Sequence, residues 1–138
     1  MRQIIFQGKT VKTGEWIQGC LTYYIDPEFH AFIEDPISME KLEVIPESVG
    51  EFTGTTDKYG KKIFENDIIT TEDHPIKGNY IVKYNPFGFE AINTDKTAEH
   101  QKFFVVGYWN IEVVGHSYGM PINMHILKEN AKSSEEDL

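Results

Sequence analysis

In the stretch VIPESVGEFTGTTDKYGKKIFENDII (Val44–Ile69), short apolar runs alternate with turn chemistry at close spacing. Pro46 stops an apolar run over Leu42–Ile45, because proline cannot donate to a strand ladder. Asp57-Lys58-Tyr59-Gly60 has aspartate at the first and glycine at the last position of a reverse turn. Lys62–Phe64 and Asp67–Thr71 read as short strands on either side of Glu65-Asn66, and asparagine tolerates the positive φ of a tight turn. Val49, Phe52, Ile63, Phe64, Ile68 and Ile69 are the residues expected to face a core in part, at about 1.5–3 kcal/mol for each side chain fully buried. Asp57 and Asp67 are expected to accept hydrogen bonds from backbone amides in their turns.

The same pattern extends outward in both directions. Upstream, Ile4–Phe6 opens a strand, and the polar Gly8–Glu15 reads as a hairpin connection. In Trp16–Tyr24 the residues Trp16, Gln18, Cys20 and Thr22 alternate with Ile17, Gly19, Leu21 and Tyr23, which is the period of a strand. Asp26-Pro27 ends it. Phe29–Ile33 is a further short run closed by Asp35-Pro36, and Ser38–Lys41 is expected to form one helical turn with Ser38 as its N-cap. Downstream, Tyr80–Tyr84, Phe87–Ile92, Phe103–Tyr108 and Ile111–Val114 read as strands. The segments Pro75–Asn79, Asn85-Pro86 and Asn93–Lys102 separate them, and His116–Met124 reads as irregular. Many short strands with turns between them, and no long amphipathic helix, predict an all-β or mostly β domain. The expected form is a small barrel-like or paired-sheet structure with at most short helical turns. Residues 1–127 are expected to form this single domain, with 128–138 a polar acidic tail too poor in apolar residues to order.

The ordered set Val44-Ile45-Pro46-Glu47-Ser48-Val49-Gly50, Phe52-Thr53-Gly54, Asp57 through Glu65 and Asp67-Ile68-Ile69 resembles the YopX family of bacteriophage and prophage proteins. The family usually has glycine where this chain has Asn66. The opening strand Ile4–Phe6 is similar too, as is Ile111–His116, where the family more often has asparagine after the glycine. The resemblance implies a small β-rich phage-type protein without an established biochemical activity. It supplies no catalytic residue set to carry over.

Composition narrows the function classes. The chain has 138 residues and a net charge of −9, with a single arginine, Arg2. A negative chain repels polyanions, and lysine and arginine contacts to phosphate supply most nucleic-acid affinity, so nucleic acid is not the expected partner. A lone cysteine, Cys20, cannot close an internal disulfide and points to a reducing compartment, with the cytoplasm of a bacterial host as the expected location. No stretch has the shape of a signal peptide or approaches the ~20 apolar residues of a membrane helix.

No catalytic or metal motif is legible. The histidines His30, His74, His100, His116 and His125 lack the i, i+4 spacing of a helical metal site, and there is no second cysteine for a thiolate cluster. They read as surface or hydrogen-bonded residues, and neither a metal nor a cofactor is expected. Cys20 reads as a small core residue. Gly8-Lys9-Thr10 lacks the glycine spacing and strand–loop–helix setting of a phosphate loop. Glu65 and Asp67 resemble an acid/base pair by count alone, since a catalytic carboxyl needs an apolar setting that shifts its pKa.

The aromatic residues Tyr23, Tyr24, Phe29, Phe32, Tyr80, Tyr84, Phe87, Phe89, Tyr108 and Trp109 exceed what one small core can bury, so some are expected on a surface. Such surfaces favour protein interfaces. The expected function is therefore non-enzymatic protein–protein contact, as a homo-oligomer or with a phage or host protein. The alternative is a nucleic-acid-binding small barrel, which would need Lys9, Lys12, Lys58, Lys61 and Lys62 on one face. The candidate binding surface is Asp57, Lys58, Tyr59, Lys61, Lys62, Glu65 and Asp67, exposed along the turn at 57–62 and the corner at 65–67. The plainer reading of those residues is a folding nucleus with turn chemistry.

Overall fold

The computed structural model describes residues 4–25, 27–73, 78–94, 102–105 and 110–118, of which 102–104 are described as backbone only. Eleven strands make two antiparallel sheets among these residues. The first sheet holds β1 (Phe6–Lys9), β2 (Trp16–Tyr24), β3 (His30–Glu34), β4 (Lys41–Val44), β5 (Gly50–Thr56) and β6 (Lys62–Phe64), in the order β4-β3-β2-β1-β5-β6. The second holds β7 (Asp67–Thr71), β8 (Tyr80–Asn85), β9 (Gly88–Asn93), β10 (Lys102–Phe104) and β11 (Ile111–His116), in the order β10-β9-β8-β7-β11. A paired-sheet, mostly β architecture is thus what the sequence predicts. A 3-10 turn, Pro46–Ser48, leads into β5.

The first sheet rolls but does not close into a barrel. β4 swings back toward the end of β1, where Val11 N–H donates to the Glu43 carbonyl at 3.0 Å and Ile45 N–H to the Lys9 carbonyl at 2.8 Å. Only an isolated bridge, Thr10 to Val44, joins the two there, so no ladder completes the ring. Inside the roll, Ala31, Ile33 and Val44 are buried, with Phe6, Ile17, Leu21 and Val49 packed against them. A second core of Ile69, Tyr80, Val82, Phe89, Ala91, Val105 and Ile111 lies on the second sheet, and Ile63 of β6 joins it from the first.

The chain passes from one sheet to the other at Glu65-Asn66. Asn66 takes φ 76°, the left-handed conformation expected of it. Its N–H donates to the Val82 carbonyl at 2.7 Å, and its own carbonyl accepts from Ser117 N–H at 2.8 Å. Gly50 stands opposite this corner. A Cβ there would fall 2.2 Å from the Glu65 carbonyl oxygen, so only glycine lets the two backbones approach.

Several local expectations are corrected. Residues 38–41 do not form a helical turn capped by Ser38. Asp35 instead organises a tight loop, its Oδ1 accepting from Ile37 N–H at 2.7 Å, and Met39 takes φ 65° before β4 begins at Lys41. Cys20 is not a core residue but exposed. The alternation in β2 is real, and Ile17, Gly19 and Leu21 take its inner face, which leaves Cys20 outside with Trp16 and Gln18. Residues 50–56, to which the sequence reading assigns no element, form a strand in which Gly50 and Phe52 are buried and Gly54 and Thr56 exposed, with the register on β6 shifting between Phe52 and Thr56. β11 runs on to His116, two residues past Val114. Tyr80 and Phe89 are buried, whereas Tyr23, Tyr24, Phe29, Tyr84 and Phe87 are exposed. Tyr108, Trp109, His74, His100, His125, most of 75–79 and the tail at 128–138 lie outside the described residues.

Candidate functional site

Both turn aspartates face inward and fasten the two sheets together. Asp57 Oδ1 accepts from Tyr59 N–H and Lys61 N–H, each at 2.9 Å, within the β5–β6 turn. Its Oδ2 accepts from Val113 N–H of β11 at 3.2 Å, while Lys58 N–H donates to the Ile111 carbonyl at 2.9 Å. The turn that Gly60 closes at φ 85° therefore covers the outer edge of β11, which would otherwise expose unpaired backbone groups. Burial raises the Asp57 pKa, but the backbone N–H groups of Val113, Lys61 and Tyr59 outweigh that and hold it below the usual carboxylate value.

Asp67 makes the second fastening. Its Oδ2 accepts from Phe64 N–H at 2.8 Å, and its Oδ1 accepts from Gln7 Nε2 of β1 at 3.0 Å. Burial dominates here, and the carboxyl is pushed up from 3.8 to about 7 despite the Phe64 and Gln7 hydrogen bonds and the attraction of Lys61. Sequence reasoning foresaw amide-bonding aspartates. It did not foresee that both would be buried, so Asp57 and Asp67 leave the expected exposed binding surface.

The other members of that surface divide. Lys58, Tyr59 and Lys61 are exposed, and Lys62 and Glu65 are half-buried. Lys58 Nζ lies 5.3 Å from the ring centre of its neighbour Tyr59, and Lys62 Nζ lies 5.8 Å from that of Phe52. Lys61 is different, because it turns toward a cleft between the sheets that also takes in Lys9. Lys12 lies elsewhere, beside Glu15, Glu40 and Glu43, so the five lysines do not share one face.

That cleft encloses about 290 Å³. Gln7, Lys9, Trp16 and Gln18 line it from β1 and β2, and Asp67, Val113 and His116 from β7 and β11. Trp16 and Lys9 are directly paired across β1 and β2. The Trp16 ring lies 4.3 Å from the His116 ring, tilted by 45°. His116 reaches the cleft through a β-bulge. The register of β11 on β7 slips between Val113 and Gly115, so His116 pairs with Asp67 and falls on the same face as Ile111 and Val113. Burial pushes the His116 pKa down from 6.5 to about 4, and Nδ1 of the neutral imidazole accepts from Tyr118 N–H at 2.9 Å. Sequence reasoning did not single out Gln7, Trp16, Gln18 or His116 as site residues. The one available signal was the β2 alternation, which set Trp16 and Gln18 on a shared face.

A family model described as YopX protein matches residues 9–124. The chain belongs to the YopX family. In this YopX chain the matched span takes in Asp57, Asp67, the Asn66 crossing and every strand from β2 to β11, while Gln7 lies before it. No curated protein matches it. No described helix of the YopX chain is long and apolar enough to cross a membrane, and no described group of histidine, cysteine, aspartate and glutamate is arranged to hold a metal ion.

A second feature is the outer end of the β2–β3 hairpin. Tyr23 and Phe29 stack at 5.6 Å on one side, and Tyr24 meets Phe32 edge-on at 5.7 Å on the other. Tyr23, Tyr24, Ile25 and Phe29 are all at least half exposed. Below the first pair is an apolar hollow of about 270 Å³, lined by Leu21, Tyr23, Phe29, Ala31, Pro46 and Val49. His30 stands beside this end, its ring 2.6 Å from Glu43 Oε2, and that hydrogen bond raises its pKa.

Proposed function

We propose that this phage-type YopX protein is a non-enzymatic interaction module that associates with a second copy of itself through the β2–β3 hairpin. The observation that carries the reading is the exposed aromatic end of that hairpin, where Tyr23, Tyr24, Ile25 and Phe29 cluster beside an apolar hollow. Rigid aromatic side chains give large contact area at low entropic cost and are enriched in interface centres. The patch carries both a projecting element, Ile25, and a receiving one, the hollow, as a two-fold interface requires of each subunit.

Light scattering across micromolar concentrations tests this. The wild-type chain is expected at twice the monomer mass. The double variant Tyr23→Ser, Phe29→Ser, which alters exposed positions, is expected at the monomer mass with an unchanged circular dichroism spectrum. A wild-type chain that stays monomeric throughout ends the proposal.

A further inference from the structure

We propose that the cleft between the sheets binds a small aromatic anion of the nucleoside-monophosphate class, with the ring on Trp16 and the phosphate between Lys9 and Lys61. This does not rest on self-association, since the hairpin end is lined by other residues.

Charge is the first support. The whole chain carries −9, yet two lysines meet at this cleft. Among the described residues neither Lys9 nor Lys61 forms an ion pair. The acidic groups nearby have their oxygens engaged. Asp67 is 3% exposed and accepts from Gln7 and Phe64, and Asp57 accepts from three backbone amides. Two lysines lining one cleft without a salt bridge are suited to a phosphate. The surrounding negative field acts against a long polyanion, which would lie across the acidic surface as well. A single nucleotide needs only the cleft.

Shape and polarity give the second support. Trp16 is 40% exposed, held from one side by His116, and so offers an indole surface at the rim. Base–aromatic stacking of this kind contributes about 1–3 kcal/mol per base. Lys9 is the cross-strand partner of Trp16 and lines the same cleft. Gln18, two residues along the same face of β2, supplies an amide that can donate to and accept from a base edge. The volume of about 290 Å³ is at the lower limit of small-ligand sites, near ~300 Å³, which favours one nucleotide over a dinucleotide.

The test is a titration of the full chain with AMP, CMP, GMP and UMP, followed through the Trp16 indole N–H resonance and by calorimetry. Ribose 5-phosphate, inorganic phosphate and the free nucleosides form the comparison arms. At least one mononucleotide is expected to shift the Trp16 indole and to bind roughly tenfold or more tightly than ribose 5-phosphate or its own nucleoside, a difference of about 1.4 kcal/mol. Lys61→Ala, at an exposed position, is expected to weaken that nucleotide roughly tenfold with the fold intact, as is Trp16→Leu. No shift with any mononucleotide up to ~10 mM overturns the proposal, because ordinary metabolite sites saturate well below that concentration. Equal binding of ribose 5-phosphate overturns the role of the ring, and full affinity in Lys61→Ala overturns that of the cation.

Discussion

Gln7 Nε2 lies 3.0 Å from Asp67 Oδ1, across sixty residues of chain, and ties the first strand of one sheet to the first strand of the other. Gln7→Leu removes that donor and leaves a buried carboxyl with one fewer partner. A loss of about 1–3 kcal/mol is expected in urea unfolding. The Gln7 bond also lowers the Asp67 pKa, so the variant carboxyl is expected to titrate above the wild-type value of about 7 in a carbon-detected NMR titration.

Asp67 and His116 are cross-strand partners whose proton affinities have moved in opposite directions. Between its unfolded value of 3.8 and about 7, Asp67 holds a proton in the folded chain that the unfolded chain has released. By linkage that group alone makes stability fall as pH rises through the window. His116 is protonated below 6.5 when unfolded but stays neutral in the fold down to about 4, so it alone makes stability fall as pH drops. The two slopes oppose, and their joint contribution is nearly level from about pH 4 to 6.5. Asp67→Asn removes one of them. Relative to the wild type, the variant is expected to lose stability steadily on acidification from 6.5 toward 4, read by denaturant unfolding at several pH values. A variant whose pH profile parallels the wild type would contradict the assignment.

Asp57 gathers three backbone amides, two from its own turn and one from β11 of the other sheet. Asp57→Ala leaves those donors without their acceptor, each such loss costing about 1–3 kcal/mol where the group stays dry. Strong destabilisation is expected, with the Val113 amide losing hydrogen-exchange protection ahead of the core amides of β8. Because its folded pKa is below the ordinary value of 3.8, Asp57 adds stability above that pH, and the contribution disappears as acid protonates it.

At Gly50 the expected effect is steric. An alanine Cβ would sit 2.2 Å from the Glu65 carbonyl oxygen, so the strand and the crossing turn must separate. Gly50→Ala is expected to cost more than ~2 kcal/mol, in the range of strained or overpacked sites. Gly60→Ala, at φ 85° with open space around it, is expected to cost about 1 kcal/mol, the penalty of left-handed backbone alone.

Cys20 is exposed on the outer face of β2. It is expected to react with a thiol reagent in the native protein as fast as in the unfolded chain, to within about tenfold. Strong protection would return it to the interior.

These residues also show where sequence reading succeeds. Turn chemistry is local, so Asn66 at positive φ and the aspartate-to-amide bonds at Asp57 and Asp67 were legible from neighbouring letters. The second oxygen of each aspartate reaches a strand 56 or 60 residues away, and no local pattern encodes that. In β2 the period of two separates the faces without saying which is inner, so Cys20 reads as core although it lies on the outer face. His116 was hidden by the bulge at Val114, which reverses the parity that alternation relies on. The cleft had no signature because its walls come from both sheets.

The division of the chain at Asn66 bears on the order of folding. Most neighbouring strands are joined by short hairpins, while β1–β5 and β7–β11 require closure of much longer loops. Long closures lose entropy before their contacts form, so the hairpins are expected to form first and the two closures later. The Gln7–Asp67 bond joins strands from both late steps and would form after the rate-limiting event. Gln7→Leu would then leave the refolding rate almost unchanged and accelerate unfolding. Through that bond one amide and one carboxyl would lengthen the lifetime of the native protein without changing the speed of reaching it.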